Sequence, residues 1–280
     1  MALFHTTVVD NQIKALDTIG SASGSIATFD TDRAERLVSC VCEVASGSSE
    51  INVTACGKNL FPLTLTALKA INTSGTWSDN VYTYGNVSYT VNNTDDIVTS
   101  IETSGTCNNS YAYFYLTKGL TIKSGKTYSV SGSPVGKASN TYRIFTDSNV
   151  AFPAGNRLSD DIEADQTRTA TGNENVDIFI QIYAGQNMND KSFYPMLVLG
   201  SDISTFVAYN GTTYNIQFGE TLSGNGSFDV LSGILTRSDD TTKHVDGNEI
   251  TTQVGTNNIY ADTGDIIDLK FVLSVGKAIS

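Results

Sequence analysis

Cations are what this sequence has least of. Across 280 residues there are 17 Lys and Arg against 29 Asp and Glu, a formal charge of −12 and a pI near 4.5. Neutralising a phosphate backbone takes clustered Lys and Arg, so no nucleic-acid partner is expected. The same deficit argues against docking on anionic membranes. An acidic balance of this kind implies solubility and little more. No stretch approaches the ~18 consecutive apolar residues that cross a bilayer, so no membrane insertion is expected. The opening MALFHTTVVDNQIKALD lacks the basic start and apolar core of a secretory signal, which predicts synthesis in a cytoplasm. In a chain so rich in Asn, Ser and Thr, the glycosylation-type triplets at Asn52, Asn86, Asn108 and Asn210 carry no weight.

Catalytic and cofactor signatures are missing too. A Ser-His-Asp or Cys-His arrangement could draw only on His5 and His244, both in polar surroundings, and no Gly-x-Ser-x-Gly elbow accompanies them. No Gly-x-Gly-x-x-Gly precedes a helix and strands do not alternate with helices, which excludes a doubly wound nucleotide fold. The carboxylate pair of a glycosidase is defined in space, so the sequence assigns none. The four cysteines, Cys40, Cys42, Cys56 and Cys107, are scattered. Cys40 and Cys42 share one face of an alternating run with Val38 and Val44, the pattern of buried free thiols rather than of a zinc site. The densest acidic cluster, Asp160, Asp161, Glu163 and Asp165 in LSDDIEADQT, reads as a solvated loop. It could offer hard oxygen ligands to calcium, but without the EF-hand spacing. No metal, no cofactor and no enzyme activity are expected.

What the chain does have is strand and turn material. Charged residues make up 16%, helix formers are sparse, and Val, Ile, Tyr, Phe, Thr, Asn and Gly dominate. Three zones separate by texture. Residues 1–56 carry strand-like SIATFD, LVSCVCEV and INVTAC. Residues 57–209 open with GKNLFPLTL, whose continuation LTLTALKA is the best helix candidate. Short period-two runs follow: VYTYG, NVSYTVN, YAYFYL, TYSVSG, TYRIFT, VDIFIQIYAG and FYPMLVLG. Turn clusters such as NNTDD and KSGKT separate them. Seven or more strands at this spacing predict a central jelly roll or β-sandwich in an all-β chain, flanked by smaller N- and C-terminal β segments. Residues 210–280 read as hairpins, too small for a core alone, and are expected to pack with residues 1–56, with the middle domain, or with a partner subunit.

Aromatic residues are the candidate binding groups. Trp77, the only tryptophan, lies in polar NTSGTWSDN, with Tyr82 and Tyr84 close behind in VYTYG. In YAYFYL, Ala112, Phe114 and Leu116 share the face expected to be the core. Tyr111, Tyr113 and Tyr115 are left on the other. Amphipathic rings on a sheet face serve for stacking on sugars or partner proteins, or else for cross-strand support.

Four stretches carry a resemblance: MALFHTTVVDN with SGSIATFDTDRAERLVSCVCEV, then GKNLFPLTL, then FYPMLVLGSDISTFVAYNGTTYNIQFGETLSGNGSFDVLSGILT, and finally VGTNNIYADTGDI. In these the chain resembles short tail or baseplate-associated structural proteins of bacteriophages that infect Gram-positive, often gut-dwelling, bacteria. It departs from them in having only SGSSE where many carry a Pro-rich stretch. The resemblance implies a virion component with a carbohydrate-binding-module-like jelly roll that begins at GKNLF and ends near residue 209. It implies other virion proteins as partners, a homo-oligomer (a trimer, by analogy), and a host-surface glycan as ligand. The alternative is a purely structural or decoration protein whose sandwich makes subunit contacts; some phage tail proteins also cleave glycans.

Overall fold

The computed structural model describes residues 5–9, 12–16, 41–160, 166–230, 232–245 and 257–269. Their regular secondary structure is strand apart from one short helix. The chain divides into two compact units, a contiguous one, Cys56–Gly211, and a split one, Met1–Ala55 with Thr212–Ser280.

The contiguous unit is tied shut where it begins. Asn59 is 1% exposed. Its Nδ2 donates to the carbonyls of Pro195 and Val207, both at 3.1 Å. Its Oδ1 accepts the amides of Phe61 at 3.1 Å and Leu197 at 3.2 Å. The side chain's two donors and two lone pairs are all used. Gly57 donates to the Asn210 carbonyl at 2.8 Å and Leu60 to the Leu197 carbonyl at 2.7 Å, so the first and last segments of the unit lie side by side.

LTALKAI then forms helix α1, Leu65–Ile71, from good helix formers. Thr64 caps it, its Oγ1 accepting the Ala67 amide at 3.0 Å, an arrangement worth ~1 kcal/mol. Leu68 is its buried contact, and Asn72 ends it.

A five-stranded antiparallel sheet comes next, made of β5 (Thr76–Ser78), β6 (Val81–Tyr84), β7 (Val87–Thr94), β8 (Ile97–Gly105) and β14 (Lys191–Phe193), in the order β14-β8-β7-β6-β5. Two-residue turns set its register. Gly85 and Asn86 have φ of +61° and +62°, and Asp95 and Asp96 +49° and +71°. Paired positive angles give the primed turn whose twist suits a hairpin.

β9 (Tyr111–Ile122), β13 (Glu174–Tyr183) and β11 (Tyr142–Thr146) form a second sheet, in the order β11-β13-β9. β10 (Thr127–Ser131), β12 (Thr167–Thr169) and β15 (Met196–Leu199) form a third, in the order β12-β10-β15. The five-stranded sheet packs on the second through rings. Phe114 of β9 stacks on Tyr89 at 4.9 Å and meets Tyr82 at 5.6 Å, while Tyr142 meets Phe193 at 5.7 Å. These rings, with Val91, Ile101, Ile144, Ile180 and Ile182, are almost wholly buried. Each such side chain stabilises the sandwich by roughly 1.5–3 kcal/mol.

FYPMLVLG behaves differently from the single closing strand it suggests. Phe193 belongs to β14 in one sheet and Met196–Leu199 to β15 in another. Proline has no amide hydrogen for the ladder, so the chain changes sheets at Tyr194–Pro195. Met196, Leu197 and Val198 are all buried, which accounts for the unbroken apolar run.

In the split unit β1 (His5–Val9) and β2 (Gln12–Leu16) pair antiparallel. One four-stranded sheet runs β19-β18-β17-β3, from Thr242–His244, Ile234–Thr236, Gly226–Asp229 and Val41–Val44. Another runs β16-β4-β20-β21, from Gly211–Gln217, Glu50–Cys56, Asn257–Ala261 and Ile266–Leu269. Each sheet takes strands from both ends of the chain. They share one core that includes Cys42, Val44, Ile51, Val53, Phe218, Phe228, Leu235 and Ile259. Cys42, Cys56 and Cys107 are buried free thiols, and burial pushes Cys56 up to about 12. Val38 and Cys40 lie outside the described residues.

Candidate functional site

Strand parity builds the site. Along β9, Ala112, Phe114 and Leu116 point into the core and are at most 1% exposed. Tyr111 is 39% exposed on the opposite face, with Tyr113 and Tyr115 half-buried beside it. Pairing with β13 and β11 extends these three rings into three cross-strand rows. Tyr111 opposes Tyr183; Tyr113 opposes Gln181, which opposes Arg143; Tyr115 opposes Phe179, which opposes Phe145. The outer rows are aromatic and the middle row is polar.

The rows interlock. Ring centroids lie 5.1 Å apart for Tyr111 and Tyr183, 5.1 Å for Tyr113 and Phe179, and 5.4 Å for Tyr115 and Phe179. The Arg143 guanidinium sits 4.0 Å from the Phe145 ring and 5.5 Å from that of Tyr183, and its Nε donates to Gln181 Oε1 at 2.8 Å. Gln181 Nε2 reaches the Tyr113 hydroxyl at 3.5 Å. Lys118 Nζ lies 4.1 Å above the Tyr115 ring, and burial, followed by the nearby Asp177 carboxylate, raises the Tyr115 phenol above its ordinary value. Planar rings beside planar amide and guanidinium donors suit a ligand that has both apolar faces and hydroxyls.

Trp77 and Tyr82 do not join this face. Trp77, Tyr82 and Tyr89 form a cross-strand row on the inner side of the five-stranded sheet. Tyr82 is 1% exposed, its ring 5.1 Å from Trp77. This corrects the reading of Tyr82 as a candidate binding ring: the polar neighbours are turn residues, while the ring itself faces Phe114 in the core. Trp77 is half-buried at the sheet's edge, its Nε1 donating to the Asn72 carbonyl at 2.9 Å. Tyr84 ends β6, half-buried.

Sequence reasoning missed Arg143, Phe145, Phe179, Gln181 and Tyr183. Their parity was present in IFIQIY and YRIFT, where Phe179, Gln181 and Tyr183, and Arg143 and Phe145, alternate with core isoleucines, although Phe145, Phe179 and Gln181 are themselves buried.

Asp160 is buried and accepts from the Ser133 amide (2.9 Å), Ser133 Oγ (2.8 Å), the Ile144 amide (2.6 Å) and Lys137 Nζ (3.3 Å). Four donors occupy its oxygens, so it anchors the 133–137 loop to β11 and has little left for a cation. Asp161, Glu163 and Asp165 lie outside the described residues. Among the described residues no three His, Cys, Asp or Glu side chains gather as metal ligands. No helix there is long and apolar enough to cross a membrane. His244 is exposed, and the side chain of His5 lies outside what is described.

Comparison of the chain with family models, curated proteins and solved structures returns no match.

Proposed function

We propose that the chain is a non-enzymatic component of a phage virion, of tail-tip, baseplate or fibre type, and that residues 56–211 hold a host-surface glycan on the outer face of β11-β13-β9. The observation that carries the binding role is the polar row Tyr113–Gln181–Arg143 set between rows of rings, with Tyr111 exposed and Tyr113, Tyr115, Arg143 and Tyr183 half-buried around the buried Gln181, Phe179 and Phe145. The virion role is supported by the resemblance of the four stretches quoted above. Sugars present C–H faces to rings and hydroxyls to amides and guanidinium groups, and this face offers both. The protein would be made in the host cytoplasm and assembled with other virion proteins.

Sedimentation with purified Gram-positive cell walls tests the reading, followed by glycan arrays. Wild type is expected to co-sediment, and Tyr111→Ala with Tyr113→Ala to weaken binding about tenfold, ~1.4 kcal/mol. Tight binding by the double variant would overturn the assignment of the face.

A second reading, subunit contacts in a head or tail lattice, is favoured by the split unit. There Val41 (48% exposed) and Ile234 (37% exposed) flank Asp229 across three strands. Analytical ultracentrifugation tests it: a homo-oligomer, with a trimer as the working copy number, should fall to monomer in Val41→Glu with Ile234→Glu.

A further inference from the structure

We infer that Asn72 is the positioning residue of the tyrosine face. Its relevance to a ligand rests on the glycan-binding reading, whereas the geometry stands apart from it. β9 is an edge strand of its sheet. In an antiparallel ladder, alternate residues turn their backbone groups away from the partner strand. Tyr115 does so, and what meets it is the side-chain amide of Asn72. Oδ1 accepts the Tyr115 N–H at 2.8 Å, and Nδ2 donates to the Tyr115 carbonyl at 2.8 Å. One primary amide thus does for one residue what a neighbouring strand does for a whole edge.

Asn72 is itself immobilised. It is 1% exposed, its backbone N–H donates to the Leu68 carbonyl at 3.0 Å, and Nδ2 shares that carbonyl at 3.1 Å. It is therefore locked to the last turn of α1. Its own carbonyl holds the Trp77 indole at 2.9 Å. Tyr115 on the outer face and Trp77 on the inner side of the opposing sheet consequently share one fixed residue. Pressure on the tyrosine row reaches the indole through Asn72, so the emission of the only tryptophan reports occupancy of the face.

The test uses the full chain in three measurements: backbone amide exchange at Tyr115, Trp77 emission, and sedimentation with purified Gram-positive cell walls. Asn72→Ala is expected to speed exchange at Tyr115 at least tenfold while the amides of β13 stay protected. It should also shift free-state emission to the red, weaken wall binding about tenfold, and abolish the emission change that walls induce in wild type. Asn72→Asp keeps the acceptor for the Tyr115 N–H but sets an acceptor oxygen against the Tyr115 and Leu68 carbonyls, so Tyr115 exchange should lie between wild type and Asn72→Ala while wall binding falls at least as far as in Asn72→Ala. It carries the test if Asn72→Ala loses protection throughout the sandwich. Wild-type exchange at Tyr115 in both variants would overturn the inference. A wild-type protein that ignores cell walls while Tyr115 exchange still responds to Asn72→Ala would overturn the glycan reading, and with it the positioning role.

Discussion

The two units solve closure in opposite ways. The contiguous unit, Cys56–Gly211, brings its own beginning and end together through Asn59 and the Gly57–Asn210 hydrogen bond. The split unit has to recruit β3 and β4 from one end of the chain and β16 to β21 from the other. Closing a long flexible loop costs entropy that grows with its length. Here the loop between β4 and β16 is a folded body whose ends are already adjacent, so the split unit closes across a short effective gap. The cores differ as well. One is built on the rings Tyr82, Tyr89, Phe114, Tyr142 and Phe193, while the other is mainly aliphatic around Phe218 and Phe228. This architecture predicts that the contiguous unit folds first and that the split one gains from waiting for it.

Core truncations test this most severely. Phe114→Ala should cost the contiguous unit roughly 3–5 kcal/mol, and Phe228→Ala the split unit a similar amount. Denaturant unfolding followed by Trp77 emission and by whole-chain circular dichroism separates the two. Phe114→Ala should move the Trp77 transition, and Phe228→Ala should leave it in place. A Trp77 transition that moves equally in both variants would mean that the units unfold as one. Asn59→Ala comes next, at roughly 2–3 kcal/mol, because it leaves buried backbone groups without partners. It should lower the Trp77 transition and, by loosening the closed ends, the second transition as well.

A smaller effect concerns acid. Glu174 accepts from Ser148 Oγ first, then from the Ala151 and Val150 amides, and these bonds lower its carboxyl from 4.5 to about 2. A depressed folded value means that the contribution is present above the unfolded value and lost as pH falls through the folded one. The contiguous unit should therefore lose stability between about pH 4.5 and pH 2, and Glu174→Gln should flatten that limb of a pH-dependent unfolding series. An unchanged limb in Glu174→Gln would remove Glu174 from the acid response.

The all-β architecture was legible because its determinants are local. Period-two runs separated by Gly, Asn and Asp turns define strands wherever they finally pair. YAYFYL gave the inner and outer faces of β9 correctly, since Ala112, Phe114 and Leu116 could hardly face water together. VYTYG misled because a short strand with two tyrosines of one parity does not say which face is buried. That depended on Phe114, some thirty positions away. The polar middle row was hidden for a similar reason: Gln181 and Arg143 become neighbours only through the β13–β11 register. The Asn72–Tyr115 bond joins a helix end to a strand edge, and nothing in either segment alone announces it.

The crossing at Tyr194–Pro195 has a mechanical consequence. One continuous stretch of main chain, Lys191 to Leu199, contributes a strand to the five-stranded sheet and then a strand to β12-β10-β15. Layers held only by side-chain packing can be peeled apart contact by contact. Here a load that draws these two sheets apart is carried by peptide bonds, and it must first strip two hydrogen-bonded ladders at once. The seam is a sewn one, held by main chain as well as by packing.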